Sequence, residues 1–301
     1  MSNSVTERNT HVTMDPAALK ADSRRKMTIG EIIAFILLIC ITITMIFPVV
    51  FMVSTALKTS KEMLQFPPTI IPRVFAWENF RTLFANEEIK FGILYKNSII
   101  VAVVSVIGTV FSSALVAYGF TRYRAKGKKI LFMLMISTMM LPYPAVMIPQ
   151  FILFSNLGWV NSFLPLIVPT FLGSAYQIFL LRQFFMSLPN ELYDSGRIDG
   201  CTEFRLFWKI ALPLSGPALA TVAIFTFIWT WNDLLGPVLY LSSQEKFTLP
   251  VGLAAMMSSK FRIAPYNLLM CASIMTTLPI IAIFASAQKH FTEGIVLTGI
   301  K

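Results

Sequence analysis

Charge is scarce in this sequence. Asp, Glu, Lys and Arg make up 13% of its 301 residues, against 55% for the hydrophobic types. A water-soluble domain of this length needs far more charge to cover its surface. Histidine is nearly absent: His11 and His290 are far apart and lack ligand spacing, so no metal site is expected. Of the three cysteines, Cys40 and Cys271 lie in apolar runs and Cys201 in a polar loop, which argues against a disulfide framework. No Gly-x-x-x-x-Gly-Lys-Ser/Thr run occurs, so the chain is not expected to bind ATP through a P-loop and needs no cofactor of its own.

What the chain has instead is long apolar runs. Six can be drawn, at 31–53, 97–119, 130–151, 162–182, 212–232 and 265–288. Each is near the roughly 20 residues that cross a bilayer core. Lipid offers the backbone no hydrogen-bond partner, so all should be helices, and the expected fold is an all-α polytopic membrane protein. The first run lacks a small-x-small cleavage site and reads as a retained span. Pro142, Pro144 and Pro149 interrupt the third run, and Pro165 and Pro169 the fourth. These are either helix kinks or irregular backbone lining a cavity.

The formal net charge of +10 could suggest nucleic acid, but the basic residues sit in short loops between apolar runs, as topology signals do. Nucleic acid is therefore not an expected partner, and membrane lipid is. The loop at 120–129 holds Arg122, Arg124, Lys126, Lys128 and Lys129 without an acid and should be cytoplasmic. Arg24, Arg25 and Lys26 before the first span agree. Six spans then place both termini inside, with a cytoplasmic tail at 1–30, a transmembrane domain at 31–288 and a second tail at 289–301. The outer loops are 54–96 and 234–264. The basic residues of 54–96 (Lys58, Lys61, Arg73, Arg81, Lys90 and Lys96) run against that orientation, but the loop is long and short loops dominate the rule.

The cytoplasmic loop 183–212 carries the most information. Ser187 is a candidate helix cap, with Pro189 in the first turn and Glu191 near the positive end. Gly200 can end that helix in a left-handed conformation, and Thr202 can cap a second helix with Glu203 in its first turn. Phe204, Phe207 and Trp208 then share a face, and Pro213 opens the next span. Two short helices meeting at a glycine could lie on the lipid surface. The acids Glu191, Asp194, Asp199 and Glu203 argue against an anionic membrane as sole partner and favour a protein with a cleft.

These residues resemble the inner-membrane permeases of binding-protein-dependent ABC importers, closest to the carbohydrate, maltose-transporter-like branch. That family carries Pro-x-Glu-Leu-x-Glu-Ala-Ala-x-x-Asp-Gly-Ala and then Ile-x-Leu-Pro-Leu-x-x-Pro. This chain has Pro189, Glu191, Leu192, Asp194, Ser195, Gly196, Ile198, Asp199, Gly200 and Cys201, then Ile210, Leu212, Pro213, Leu214 and Pro217. Asp194-Ser195-Gly196 replaces Glu-Ala-Ala, and Gly196 should loosen its helix by up to about 1 kcal/mol relative to Ala. Four further stretches are similar in order and spacing. They are Tyr95-Lys96-Asn97-Ser98, Ala117-Tyr118-Gly119-Phe120-Thr121-Arg122, Trp231-Asn232-Asp233 with Thr248-Leu249-Pro250-Val251-Gly252-Leu253, and Gln288-Lys289-His290-Phe291 through Gly294 to Gly299-Ile300-Lys301.

The resemblance implies a type I importer permease in the bacterial inner membrane, without enzymatic activity of its own. It would pair with a second permease, dock the loop around Gly200 on a cytosolic ABC ATPase dimer, and receive a carbohydrate from an extracellular solute-binding protein. ATP would be bound by the partner. The docking residues would be Glu191, Asp194, Ser195, Gly196, Asp199, Gly200, Phe204 and Pro213, with 234–264 reaching the binding protein.

Sugars are usually held by aromatic faces with amide or hydroxyl groups, which makes Tyr176, Gln177, Trp229, Trp231 and Asn232 candidates for the substrate path. Aromatic residues near span ends also serve as interfacial anchors. A secondary transporter would need ionisable groups inside its spans, yet Glu31, Arg182 and Asp233 sit only at span ends. An intramembrane enzyme would need a His or Asp beside Ser105, Ser112 or Ser113, and none is supplied. Those small residues suit close helix packing instead.

Overall fold

A computed structural model describes residues 28–63, 65–67, 69–257 and 266–298, with side chains described as far as 286. The expected tail before residue 28, the tip of the outer loop at 258–265, and the C-terminal signature side chains fall outside the described residues. Every element of regular structure within them is helical. The principal helices are α1 Ile29–Ala56, α2 Phe91–Arg122, α3 Lys128–Ser137, α4 Tyr143–Asn156, α5 Ala175–Ser187, α6 Asn190–Ile198, α7 Gly216–Trp231 and α8 Tyr266–Thr298. The chain divides into two compact units between Phe51 and Met52.

The first unit holds most of α1. Its side chains are apolar on all sides, and Leu38 and Met45 are 61% and 73% exposed. Such a surface suits lipid or another chain, not water. Thr42 and Thr44 donate to the carbonyls of Leu38 and Cys40, so even the hydroxyls are satisfied within the helix.

In the second unit, four-residue periodicity matters less than side-chain size. Ala102, Ser105, Thr109, Ser112, Ser113, Ala114 and Ala117 make a buried small-residue stripe along α2. A β-carbon on Gly108 would lie 2.7 Å from the Phe171 ring and the Thr170 hydroxyl, so these side chains come close to α2 only because Gly108 has none. Ser112 Oγ donates to Gly108 O at 2.7 Å, and Ser174 N donates to Ser113 Oγ at 3.3 Å. The serines therefore serve packing.

Among the described residues, four helical stretches are long and apolar enough to cross a membrane, and up to six if each of two bent pairs counts as one span. The third run is one such pair: 128–140 and 143–156 meet at 101°. The break falls at Leu141 and Pro142, both extended, whereas Pro149 stays inside α4. The fourth run is a single stretch from Leu164 to Ser187. Within it, Pro165 and Pro169 start a short α-turn and a 3₁₀ turn, and Gly173 at φ +88° separates these from α5. The backbone is thus irregular at Pro142, Pro165 and Pro169, whereas Pro144 and Pro149 lie within α4.

The fifth run also differs from expectation. Helical structure begins at Glu203, and 203–214 meets 216–231 at 79°. Pro213 therefore precedes the bend and does not open the span, a place taken by Gly216 and Pro217. The second span is longer than its apolar run, because α2 starts at Phe91 after Lys90 in a left-handed conformation and ends at Arg122. The last helix continues to Thr298, through much of the stretch expected as a tail.

Two apolar clusters organise this unit. One gathers Phe91, Leu94, Trp231, Leu249, Leu268 and Cys271, and the other Tyr118, Ile178, Leu181, Phe185, Tyr193, Leu206 and Phe207. Helix α2 contributes to both, at its start and at its end, and forms the spine between them.

Candidate functional site

The loop 183–212 folds as an elbow. Leu188 and Pro189 are extended, as a residue before proline and its proline favour, so the first limb starts at Asn190. Ser187 is not its cap: it ends α5, and its hydroxyl donates to Phe184 O at 2.7 Å. At the other end, Gly200 adopts φ +77°. Its N–H donates to Arg197 O at 3.0 Å, and Cys201 N donates to Gly196 O at 2.9 Å. This is the double closure of a Schellman turn, which a β-carbon at Gly200 would strain.

The second limb starts as expected, with Thr202 Oγ1 accepting from Arg205 N at 3.4 Å. It then widens into a π-helical turn over Phe207–Ala211. The expected aromatic face splits: Phe207 is 1% exposed, whereas Phe204 and Trp208 are 63% and 45% exposed and pack edge-on to each other. Phe207 is buried in the second apolar cluster and still meets Trp208 edge-on, with ring centroids 5.7 Å apart.

The limbs cross closely at Gly196. A β-carbon there would meet Leu206 Cδ2 at 2.5 Å and Ile210 Cδ1 at 3.0 Å, and Leu206 is fully buried. Glycine at this position thus sets the distance between the limbs. Arg197 bridges them, donating to Asp194 Oδ1 at 2.8 Å and to Glu203 Oε1 at 2.9 Å. Being exposed, these pairs contribute little more than about 1 kcal/mol each and chiefly fix orientation. Of the docking candidates, Glu191, Asp194, Ser195, Asp199, Gly200, Phe204 and Pro213 are exposed, whereas Gly196 is buried. Ile198, at 87% exposure, adds an apolar side chain beside Asp199 and Gly200 that sequence reading did not single out.

The elbow is held from below by two residues one turn apart on α2. Arg122 Nη1 donates to Asn190 Oδ1 at 2.6 Å, and Nη2 donates to Phe185 O at 2.9 Å and Leu188 O at 3.2 Å. Its guanidinium also lies 3.6 Å from the centre of the Tyr193 ring. Tyr118 donates to Glu203 Oε2 at 3.1 Å and packs against Phe185, Tyr193 and Phe207. Burial in this cluster pushes the Tyr193 phenol above its ordinary range. The i, i+4 spacing of Tyr118 and Arg122 was visible in the sequence, but their partners were not.

The opposite end of α2 holds the expected outer segments. Asn97 Nδ2 donates to Glu245 O at 2.8 Å and Phe247 O at 2.9 Å, and Ser98 Oγ accepts from Leu249 N at 2.7 Å. Asn161, at φ +58°, accepts from Ser242 N and Ser243 N and donates to Ser243 Oγ at 2.7 Å. A second clasp closes the loop after α1. Asn79 Nδ2 donates to Ala56 O and Lys58 O, and Asn267 Nδ2 donates to Asn79 Oδ1 at 3.2 Å.

The substrate-path candidates have unlike surroundings. Trp231 is 1% exposed, donates to Thr276 O at 3.0 Å and stacks on Phe227. Trp229, two residues earlier, is 82% exposed. Asn232 Nδ2 donates back to Ile228 O at 2.7 Å at the end of α7. Tyr176 is 46% exposed, and its neighbour Gln177 is buried with Oε1 unpartnered. Among the described residues, no three His, Cys, Asp or Glu side chains gather as a metal site would need.

Among the described residues, up to six apolar spans with a capped two-limbed elbow between them define a multi-pass membrane protein. The chain belongs to the family described as binding-protein-dependent transport system inner membrane component, whose model matches residues 108–296. It is a permease subunit and not the ATPase.

Named relatives agree with that assignment. The chain is 35% identical to the arabinooligosaccharides transport system permease protein AraQ of Bacillus subtilis (strain 168), over 85% of this chain and 90% of that one. It is 33% identical to the sn-glycerol-3-phosphate transport system permease protein UgpE of Yersinia enterocolitica, over 88% and 96%. A solved bacterial ABC transporter involved in the import of the acidic polysaccharide alginate has a chain of the same fold, with TM-score 0.79, 23% identity, and coverage of 87% and 96%.

Proposed function

We propose that this chain is one of two pore-forming permeases of an ATP-driven importer for a carbohydrate, with an oligosaccharide the favoured cargo. It pairs with a second, similar permease, receives substrate from an extracellular solute-binding protein, and is driven by a cytosolic ABC ATPase dimer seated on the elbow. Both termini face the cytoplasm.

The elbow is the observation that carries this reading. Its Schellman turn and its anchors on α2 hold Ile198 and Phe204 outward beside a row of carboxylates. Apolar side chains held in the open on a rigid support, with acids around them, suit insertion into a protein cleft. The substrate class is supported by the relatives' names, which include oligosaccharide and polysaccharide systems, alongside one for a phosphorylated polyol.

The test is reconstitution of the chain with its partner permease, ATPase and binding protein in proteoliposomes, followed by uptake of labelled oligosaccharides and of glycerol phosphate. ATP-dependent oligosaccharide uptake that requires the binding protein is expected. Uptake by this chain alone, driven by an ion gradient without ATP, would overturn the proposal.

A further inference from the structure

The elbow meets the membrane helices by three routes that differ in kind: along the chain from α5 through the extended Leu188 and Pro189, along the chain toward α7, and through space into α2. Along the chain, its second limb continues toward α7, but that path is interrupted. It passes through the π-helical turn at Phe207–Ala211, then Pro213, then the 79° bend at Ser215, then Pro217. Each proline lacks an N–H, and a π-turn loosens the regular ladder, so bending here costs few hydrogen bonds. Beyond the bend, among the described residues, α7 contributes the small or branched apolar side chains of Ala218, Val222 and Leu219 to the elbow's cluster, and it also packs along α2. Such contacts are non-directional and tolerate sliding.

Through space, the route into α2 is directional. Arg122 grips the first limb's start at Asn190, the carbonyls of Phe185 and Leu188, and the Tyr193 ring. Tyr118, one turn earlier, holds Glu203 at the start of the second limb. Glu203 in turn takes Arg197 of the first limb. Both limbs are therefore tied to one face of one helix by hydrogen bonds, several of them charge-assisted, and by a guanidinium over an aromatic face.

We infer that force from the docked ATPase enters the membrane through Tyr118 and Arg122 into α2, and that the chain-connected helix α7 follows through a compliant joint. Tyr118 and Arg122 are positioning residues in this scheme: they touch neither ATP nor substrate. Helix α2 is suited to the task, since its far end holds the outer segment through Asn97 and Ser98. One continuous helix of 32 residues then links the elbow to that segment. The inference rests on the proposed import function.

The test uses the full complex in proteoliposomes and reads substrate imported per ATP hydrolysed. Arg122→Gln removes the charge and most of the fork, whereas Tyr118→Phe deletes one oxygen and keeps the ring. The expected result is normal ATPase co-purification, continued hydrolysis, and an import-to-hydrolysis ratio lowered about tenfold in Arg122→Gln and less in Tyr118→Phe. Arg122→Lys, which keeps charge but not the planar fork, should restore part of the ratio. A merely structural role would lower complex yield and leave the ratio of the surviving complex unchanged. That outcome, in Arg122→Gln or, if this variant does not assemble, in Tyr118→Phe, overturns the inference. A wild-type complex that imports no substrate with ATP instead overturns the function reading, and the inference falls with it.

Discussion

The side chain of Leu94 occupies the space that a β-carbon on Gly252 would need: Leu94 Cδ1 would be 2.2 Å from it. This contact presses the helical segment 249–257 onto the N-terminal part of α2, where Ser98 Oγ accepts from Leu249 N. Gly252→Ala should therefore destabilise the chain by about 1–3 kcal/mol through overpacking. Combining it with Leu94→Ala should recover part of the loss, because the two changes share one space. Thermal unfolding in detergent reads both. Equal stability of wild type and Gly252→Ala would contradict the packing described.

At Gly200 the constraint is backbone conformation. Nothing lies within 4 Å of a β-carbon there, yet φ is +77°. Gly200→Ala should cost about 1–2 kcal/mol, and Gly200→Asn less, since Asn tolerates left-handed backbone better. Under the proposed docking, co-purification of the ATPase should weaken in the same order. A ranking by side-chain size alone would count against the turn.

Gly196 behaves in the opposite way. On helix propensity alone, Gly196→Ala would stabilise the first limb by up to about 1 kcal/mol. The close approach of Leu206 and Ile210 reverses the sign, so Gly196→Ala should lower stability by about 1 kcal/mol or more. Adding Leu206→Ala should relieve that contact, at the cost of the cavity that Leu206 leaves. A stabilised Gly196→Ala chain would show that the limbs separate easily.

The loop that follows α1 should respond to acid. Glu62 is held below the usual carboxylate range first by the N–H of Arg73, at 2.9 Å, with the Thr69 hydroxyl and nearby cations adding to it against the opposing effect of burial. A carboxylate lowered on folding stabilises above its unfolded value, near pH 4.3, and loses that contribution as pH falls through the folded value. Protection of the amides in 57–80, measured against their intrinsic exchange at each pH, should thus be high near neutrality and be lost only below the ordinary carboxylate range. Glu62→Gln should flatten this dependence. An unchanged profile in that variant would remove Glu62 as the cause.

Asn97 tests the strap at 245–249. Asn97→Ala leaves the carbonyls of Glu245 and Phe247 without their shared donor, a loss on the order of 1–3 kcal/mol where they are buried. Faster proteolysis between 240 and 249 is the expected readout, with cleavage elsewhere unchanged.

Much of this architecture was legible in the residues. Apolar runs of spanning length, the turn at Gly200 and the cap at Thr202 follow from local chemistry: backbone must be satisfied in lipid, and only glycine sits easily at positive φ. The errors cluster where local rules compete. Ser187 is a good capping residue, but Leu188 and Pro189 impose extended backbone after it, and the helix starts later. Phe204, Phe207 and Trp208 obey helical spacing until a π-turn widens the register and one ring is drawn into a core. For Trp231, a candidate for the substrate path, the packing on Phe227 and the hydrogen bond to Thr276 could not be read from its residue type.

Sequence alone determined that this chain lives in a membrane as helices and presents a two-limbed elbow between its spans, because those outcomes depend on hydropathy and on conformational preferences that each residue carries with it. Only tertiary structure decided that Arg122 and Tyr118 grip that elbow, that Gly196 and Gly252 are sites of close approach, and that the third and fifth runs bend sharply. These depend on which residues far apart in the chain share a volume, and no residue type specifies its neighbour in space.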